Sequence, residues 1–197
     1  MKLPKIKLNL FAILLVQFSG SLGFGLVIPF LVVLVSRYGG DAFMYGVIGA
    51  IYPAFQFIGS LVLGYYSDIY GRKPTLLISQ IGTVVGWALF LVALFLPSTN
   101  LFHFSSSITI FTLTIPLLII AISRAIDGIT GGNISIAQAY LADISNDSDR
   151  SKNYGYLQVA SNLGYIGGPA VAGILATTML GEKLPVGLAV VVAVLAS

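Results

Sequence analysis

The sequence has 197 residues, a mean hydropathy of +0.96, 57% hydrophobic residues and only 9% charged ones, where soluble domains carry about 25%. So apolar a chain argues against an ordinary soluble enzyme, and it lacks the high charge of a disordered segment. It has no cysteine and one histidine, which leaves no disulfides, thiolate zinc sites or histidine clusters. The net charge of +3 matters chiefly by its placement.

Stretches free of Asp, Glu, Lys and Arg cover residues 8–36, 42–67, 74–123, 128–142, 153–181 and 184–197. A membrane-spanning helix needs roughly 17–25 mostly apolar residues. The first two stretches therefore predict spans near 8–36 and 43–67. The third is too long for one helix and is broken at Pro97-Ser98-Thr99-Asn100. That predicts a span near 74–97 and another over 110–142, the latter carrying Arg124 and Asp127 inside it. A fifth is expected near 153–180 and a sixth over 184–197. The first stretch exceeds a signal peptide's apolar region and no cleavage site follows it, so it reads as a retained helix. Long apolar runs also differ from the short alternating segments of a β-barrel. Residues 184–197 would make only about 21 Å of helix against a ~30 Å membrane core. The sixth helix therefore reads as cut short, and the chain as a fragment or a truncated product.

The loop cations divide unevenly. Lys2, Lys5, Lys7, Arg72, Lys73, Arg150 and Lys152 fall on one side of the membrane, and only Arg37 and Lys183 on the other. The positive-inside rule then puts the N-terminus and the 2–3 and 4–5 loops in the cytoplasm. The basic bias is a topology signal, not a nucleic-acid surface. His103 falls in an expected external loop with no carboxylate near it in sequence.

In the first span, Gly23 is followed by Pro29, with Gln17 and Ser21 as its modest polar groups. In the second, Tyr52 and Gln56 share a helical face and could line a substrate cavity, although membrane packing accounts for them as well. The 2–3 loop reads Gly64-Tyr65-Tyr66-Ser67-Asp68-Ile69-Tyr70-Gly71-Arg72-Lys73-Pro74. Gly71 permits an unusual backbone angle, and Pro74 suits the first turn of the next helix. A polar turn with inside-positive charge is one account of this segment. It also resembles the cytoplasmic signature of the major facilitator superfamily, matched by Gly64, Asp68, Gly71, Arg72, Lys73 and Pro74. Tyr66 stands for the usual leucine and Ile69 for the usual basic residue.

The fourth span reads Ser123-Arg124-Ala125-Ile126-Asp127-Gly128-Ile129-Thr130-Gly131-Gly132 and is similar to the same family's arginine-glycine motif. An ionisable residue in mid-span costs ~2.5–3.5 kcal/mol on insertion scales, so it usually faces a partner or a wet cavity. Arg124 and Asp127 are three apart on one face, which Gly131, Ser135 and Gln138 roughly continue. Either they line a cavity or they are a self-neutralised pair that fixes helix packing. Downstream, the resemblance proposes Asp143 as partner of Arg72; a solvated helix-end carboxylate is the other reading. No role is assigned to Asp147, Asp149, Arg150 or Lys152.

The fifth span repeats small residues at Ala160, Gly164, Gly168 and Ala172, a stripe that invites a close helical neighbour. The stripe is expected to stay partly uncovered within this chain. Gly164, Gly168, Pro169 and Gly173 resemble the family's antiporter motif, and Gln158, Asn162 and Tyr165 lie on another face. Generic tight packing also accounts for the glycines.

Together these matches identify an all-α membrane protein, the N-terminal six-helix half of a twelve-helix major facilitator fold. The resemblance lies toward the tetracycline and multidrug proton antiporters, although Gly20 stands where tetracycline exporters place an aspartate. It implies proton-coupled export of a small drug-like molecule, with Asp127 as proton carrier and Arg124 its tuning partner. Asp68, Arg72 and Asp143 would form a cytoplasmic latch, and Gln17, Tyr52, Gln56, Gln138 and Asn162 the substrate cavity. The implied partners are membrane lipid, substrate, protons and a second six-helix half or second copy. An inactive half-transporter and an uptake transporter for a sugar or other metabolite are the alternatives. No cofactor, metal or enzymatic activity is called for, and no nucleotide-binding loop is present.

Overall fold

A computed structural model describes residues 5–106 and 109–197, with side chains described from Leu10 onward. The chain runs α1 (Lys5–Arg37), α2 (Ala42–Tyr70), α3 (Arg72–Ala93), a hairpin of β1 (Asn100–Ser105) and β2 (Ile110–Thr114), then α4 (Ile115–Thr130), α5 (Asn133–Ile144), α6 (Asp147–Ala176) and α7 (Lys183–Leu195). α4 and α5 together form one span, Ile115–Ile144, so among the described residues five segments are long and apolar enough to cross a membrane, with α7 a shorter apolar helix.

Local chemistry sets the ends. The Asp41 carboxylate accepts the Met44 N–H at 3.0 Å and caps α2. Gly71, at φ 95°, is the single residue between α2 and α3, a backbone angle that favours glycine. Pro116 opens α4, where its missing N–H costs nothing.

The helices close on one another through glycines. A Cβ at Gly168 would come within 2.7 Å of the Gly25 backbone, and one at Gly164 within 2.7 Å of Leu22 N, so α6 lies against α1. A Cβ at Gly128 would meet Tyr52 O at 2.6 Å, and one at Gly86 the Asp127 Cβ at 2.9 Å, which brings α2 and α3 onto α4. The larger core cluster joins Leu26, Leu34, Trp87, Phe90, Leu117, Ile120 and Val186; a smaller one near the other end joins Ile13, Leu76, Ile136 and Leu141. Outward faces stay apolar: Phe57, Leu61, Ile78, Ile166 and Ile174 are all exposed.

Five sequence expectations change. Residues 110–114 are strand rather than helix, because Ile110-Phe111-Thr112-Leu113-Thr114 alternates and pairs with β1. His103 consequently lies in a strand, bonded to the Thr112 hydroxyl at 3.0 Å. The fourth span is interrupted at Gly131-Gly132. The fifth begins at Asp147, with Asp147 and Asp149 in its first turn, where carboxylates suit the helix dipole. The stripe on α6 is largely covered: Gly164, Gly168 and Ala172 are buried and Ala160 is half-buried, and α1 is what the two glycines meet. Over Gly164–Ala172 the expectation of an open face fails, because Gly25 and Ser21 on α1 supply complementary small residues within the same chain.

Candidate functional site

The centre of the bundle holds an ion pair. Arg124 and Asp127, one turn apart on α4, are each 4% exposed, with Arg124 Nη1 3.3 Å from Asp127 Oδ2. The guanidinium lies 4.4 Å from the ring centroid of Trp87, 4.9 Å from that of Phe90 and 5.9 Å from that of Tyr52. Ring faces attract a cation most strongly where water is absent. Arg124 Nε and Nη2 have no hydrogen-bond partner among the described residues. The pair is thus held by one long contact and a set of aromatic faces.

Two small cavities adjoin it. One, of about 20 Å³, touches Arg124, Tyr52, Phe24 and Ile48; the other, of about 10 Å³, touches Asp127, Thr83, Asn133 and Gly20. Each is about the size of a single water. Gly20, where the resemblance expected an acid in tetracycline exporters, therefore lies beside Asp127.

The helix break next to the pair is held from two sides. Gln56 Nε2 donates to Gly131 O and to the Tyr52 hydroxyl, both at 3.2 Å, and the Ser79 hydroxyl donates to Thr130 O. Carbonyls freed by the interruption are thus satisfied from α2 and α3, as buried backbone requires. Gln56 and Tyr165 also line an open cleft of about 410 Å³ with Pro53 and Ser135.

Of the expected cavity residues, Tyr52 meets the charge pair, and Gln56 reaches it only through its bond to the Tyr52 hydroxyl. Gln17 does not: it is buried in the α1–α6 seam, bonded to the Ser161 hydroxyl. Gln138 and Asn162 are exposed; Gln138 O accepts from the Tyr154 hydroxyl at 3.1 Å, and Asn162 accepts from Gln158 at 3.1 Å. Trp87, Phe90, Thr83 and Ser79 escaped the sequence reading. The single tryptophan and the Gly82/Gly86 spacing in the third span were the available signals. A second polar set went unnoticed too: Asn133 Nδ2 donates to Gln80 Oε1 at 3.0 Å, and Gln80 Nε2 to Ala193 O at 3.1 Å, tying α5, α3 and α7 together.

At the α2–α3 turn, Arg72 Nε donates to Asp143 Oδ2 at 2.9 Å and Nη1 to the Ser67 hydroxyl at 2.7 Å, while Nη1 also pairs with Asp68. Arg72 thereby links the end of α2 to the end of α5. Lys73 is exposed, and Pro74 sits beside Gly71. Gly64 has open space where a Cβ would stand, and so does Gly173. Gly164 and Gly168 are packed on α1, and the Pro169 ring lies against Gly25.

At the opposite end, Arg37 donates to both Glu182 oxygens at 3.0 and 2.7 Å. Burial pushes the Glu182 carboxyl up, but its hydrogen bonds with Arg37 and its own backbone, and the Arg37 charge, hold it below its ordinary value. Asp41 also lies below the usual carboxylate range, chiefly because the Thr109 hydroxyl donates to it, then because of the Met44 N–H.

The sequence model of the Major Facilitator Superfamily matches residues 13–197. The chain is 32% identical over 163 residues to the class C tetracycline resistance protein of Escherichia coli, covering 81% of this chain and 36% of that protein. It is 30% identical over 170 residues to the class H tetracycline resistance protein of Pasteurella multocida, covering 85% and 37%. The crystal structure of the human organic anion transporter MFSD10 superposes with a TM-score of 0.76 at 20% identity, covering 98% of this chain and 46% of that one. The chain therefore spans between a third and a half of the length of these relatives.

Proposed function

Because the chain belongs to the major facilitator superfamily, we propose that it forms one six-helix half of a secondary transporter that exports a small drug-like molecule in exchange for protons. It works with a second six-helix half, from further polypeptide or from a second copy, and alternating access rocks the two around a central site. It lies in the plasma or inner membrane with its N-terminus and α2–α3 turn in the cytoplasm.

The observation that carries this reading is the buried Arg124–Asp127 pair. Replacing such a pair with apolar residues is often neutral or stabilising, so packing alone gives little reason for it. Asp127 is the proton carrier. Its only ion-pair contact with Arg124 is 3.3 Å long, and the Trp87 and Phe90 rings keep the guanidinium in place when the carboxylate is protonated. Phe24 bridges Tyr52 and Tyr165 at 5.7 and 5.9 Å between ring centroids, a surface for an aromatic substrate. Arg72 with Asp68 and Asp143 latches the cytoplasmic ends of α2 and α5. Similarity to tetracycline resistance proteins and the glycine-proline run of α6 support export over uptake. With glycine at position 20, the substrate need not be tetracycline itself.

The test is efflux of a fluorescent probe such as tetracycline, driven by a proton gradient, in vesicles carrying the assembled transporter and normalised to folded protein. Asp127→Asn should abolish driven efflux and leave membrane insertion intact. Wild-type efflux per folded molecule in the variant removes Asp127 from the mechanism.

A further inference from the structure

We propose that the β1–β2 hairpin is a membrane-interface anchor, with its aromatic face resting in the headgroup–acyl boundary of the leaflet opposite the α2–α3 turn. Its partner is the lipid surface. The strand register places Phe102 opposite Leu113 and Phe104 opposite Phe111, so one face of the hairpin is wholly apolar. Phe104 stacks on Phe111 at 5.4 Å and meets Phe102 at 6.4 Å. The other face carries the His103–Thr112 pair and Ser105, with one exposed apolar side chain, Ile110, opposite Ser105 near the hairpin tip.

Three observations point to lipid as the occupant. The apolar face continues the membrane-embedded core: Phe111 and Leu113 pack against the larger cluster, whereas Phe102 and Phe104 remain 56% and 38% exposed beyond it. β2 passes into α4 with no residue between them, so the hairpin starts at the end of a membrane span. No charged residue occurs from 74 to 123, although a segment standing in water would ordinarily carry several. An uncharged strip whose exposed apolar side chains are Phe, Leu and Ile is favourable to seat at the membrane boundary, where Asp, Lys or Arg would be costly.

The hairpin is held at that height. Thr112 N donates to Gly39 O at 2.8 Å, the Thr114 hydroxyl to Tyr38 O at 2.9 Å, and Ile110 N to Asp41 at 3.1 Å. Nearby, Lys183 Nζ lies 4.3 Å from the Phe95 ring centroid, an interfacial cation–aromatic contact. Depth is limited by the backbone. A two-stranded hairpin has edge N–H and C=O groups that hydrocarbon cannot satisfy, so the strands stay at headgroup level and only the rings dip inward.

The cysteine-free sequence allows a direct test on the full chain in phospholipid vesicles. Nitroxide labels are placed on Phe102→Cys, Phe104→Cys and His103→Cys, with Ile78→Cys on the exposed face of α3 as a lipid-facing reference. Collision rates with oxygen, which concentrates in lipid, are compared with those of a water-soluble nickel chelate. The oxygen-to-nickel ratio at Phe102 and Phe104 should be several-fold that at His103 and approach that at Ile78. Equally low ratios at all three hairpin sites would place the hairpin in water, and equally high ones matching Ile78 would sink both faces in hydrocarbon; either result overturns the proposal. Labels at Phe102 and Phe104 shielded from both reagents would mean a protein covers the face, and would overturn it too. A low ratio at Ile78 would instead contradict the membrane placement of the bundle, a separate failure. The anchor is independent of which substrate moves.

Discussion

Arg124 lies within a span with Nε and Nη2 lacking a hydrogen-bond partner among the described residues. Three aromatic rings and one carboxylate make this tolerable, since a desolvated cation over an aromatic face gains about 2 kcal/mol or more. A double-mutant cycle of Trp87→Leu and Arg124→Met, followed by thermal unfolding in detergent, should therefore show a coupling of about 1–2 kcal/mol. Simple additivity would mean the rings are only packing. Asp127→Ala should be far worse for stability than Asp127→Asn, because it leaves the buried arginine without any polar partner, a loss of about 3–5 kcal/mol. Arg124 and Asp127 were legible in the sequence because charge inside an apolar run is conspicuous. Trp87 and Phe90 were not, because aromatic residues are ordinary in spans and only the packing of α3 on α4 shows which rings face the guanidinium. Gln17 misled for the converse reason: a polar residue on a spanning helix can serve a neighbouring helix as readily as a cavity.

The seam between α1 and α6 turns on two glycines with opposite surroundings from a third. Gly168→Ala places a Cβ within 2.7 Å of α1 backbone and should cost about 1–3 kcal/mol by overpacking. Gly173→Ala meets open space and should change stability by less than about 0.5 kcal/mol. Equal losses of folded protein in the two variants would contradict the packing described. The repeat of small residues was visible along the sequence, but its neighbour was not, because a stripe states a distance and not a partner. The hairpin was invisible for another reason. An uncharged segment of five residues, three apolar and two threonine, fits the start of a helix or a strand, and only the pairing with β1 decides. Asp41 fastens that hairpin, and its lowered carboxyl gives a pH signature. A group held below its unfolded value stabilises fully above the unfolded value and loses that contribution as pH falls through the folded one. The difference in melting temperature between wild type and Asp41→Ala should therefore be constant near neutrality and narrow as the pH drops below the ordinary carboxylate range. A pH-independent difference would show that the carboxylate charge adds nothing.

Across the whole molecule, the fold assignment rested on features that survive local error: the number of long apolar runs, the cation-rich turns and the signature around Gly71 and Arg72. Misplaced helix ends and an unrecognised hairpin left the family unaffected. The orientation proposed here predicts that Tyr70→Cys, exposed near the α2–α3 turn, resists an impermeant thiol reagent in intact cells, while Ser105→Cys on the hairpin reacts. Ser67, buried against Arg72, would be an uninformative site. The central claim is that Asp127 couples substrate movement to protons and does more than hold helices together. It is tested most directly by comparing proton-gradient-driven net efflux with gradient-free substrate exchange, using a fluorescent drug-like probe that the wild-type assembled transporter pumps in vesicles. Exchange returns each carrier still loaded and needs no proton release, so Asp127→Asn should keep exchange near the wild-type rate per folded molecule while losing net pumping. Parallel loss of both activities, or full retention of both, would contradict the account.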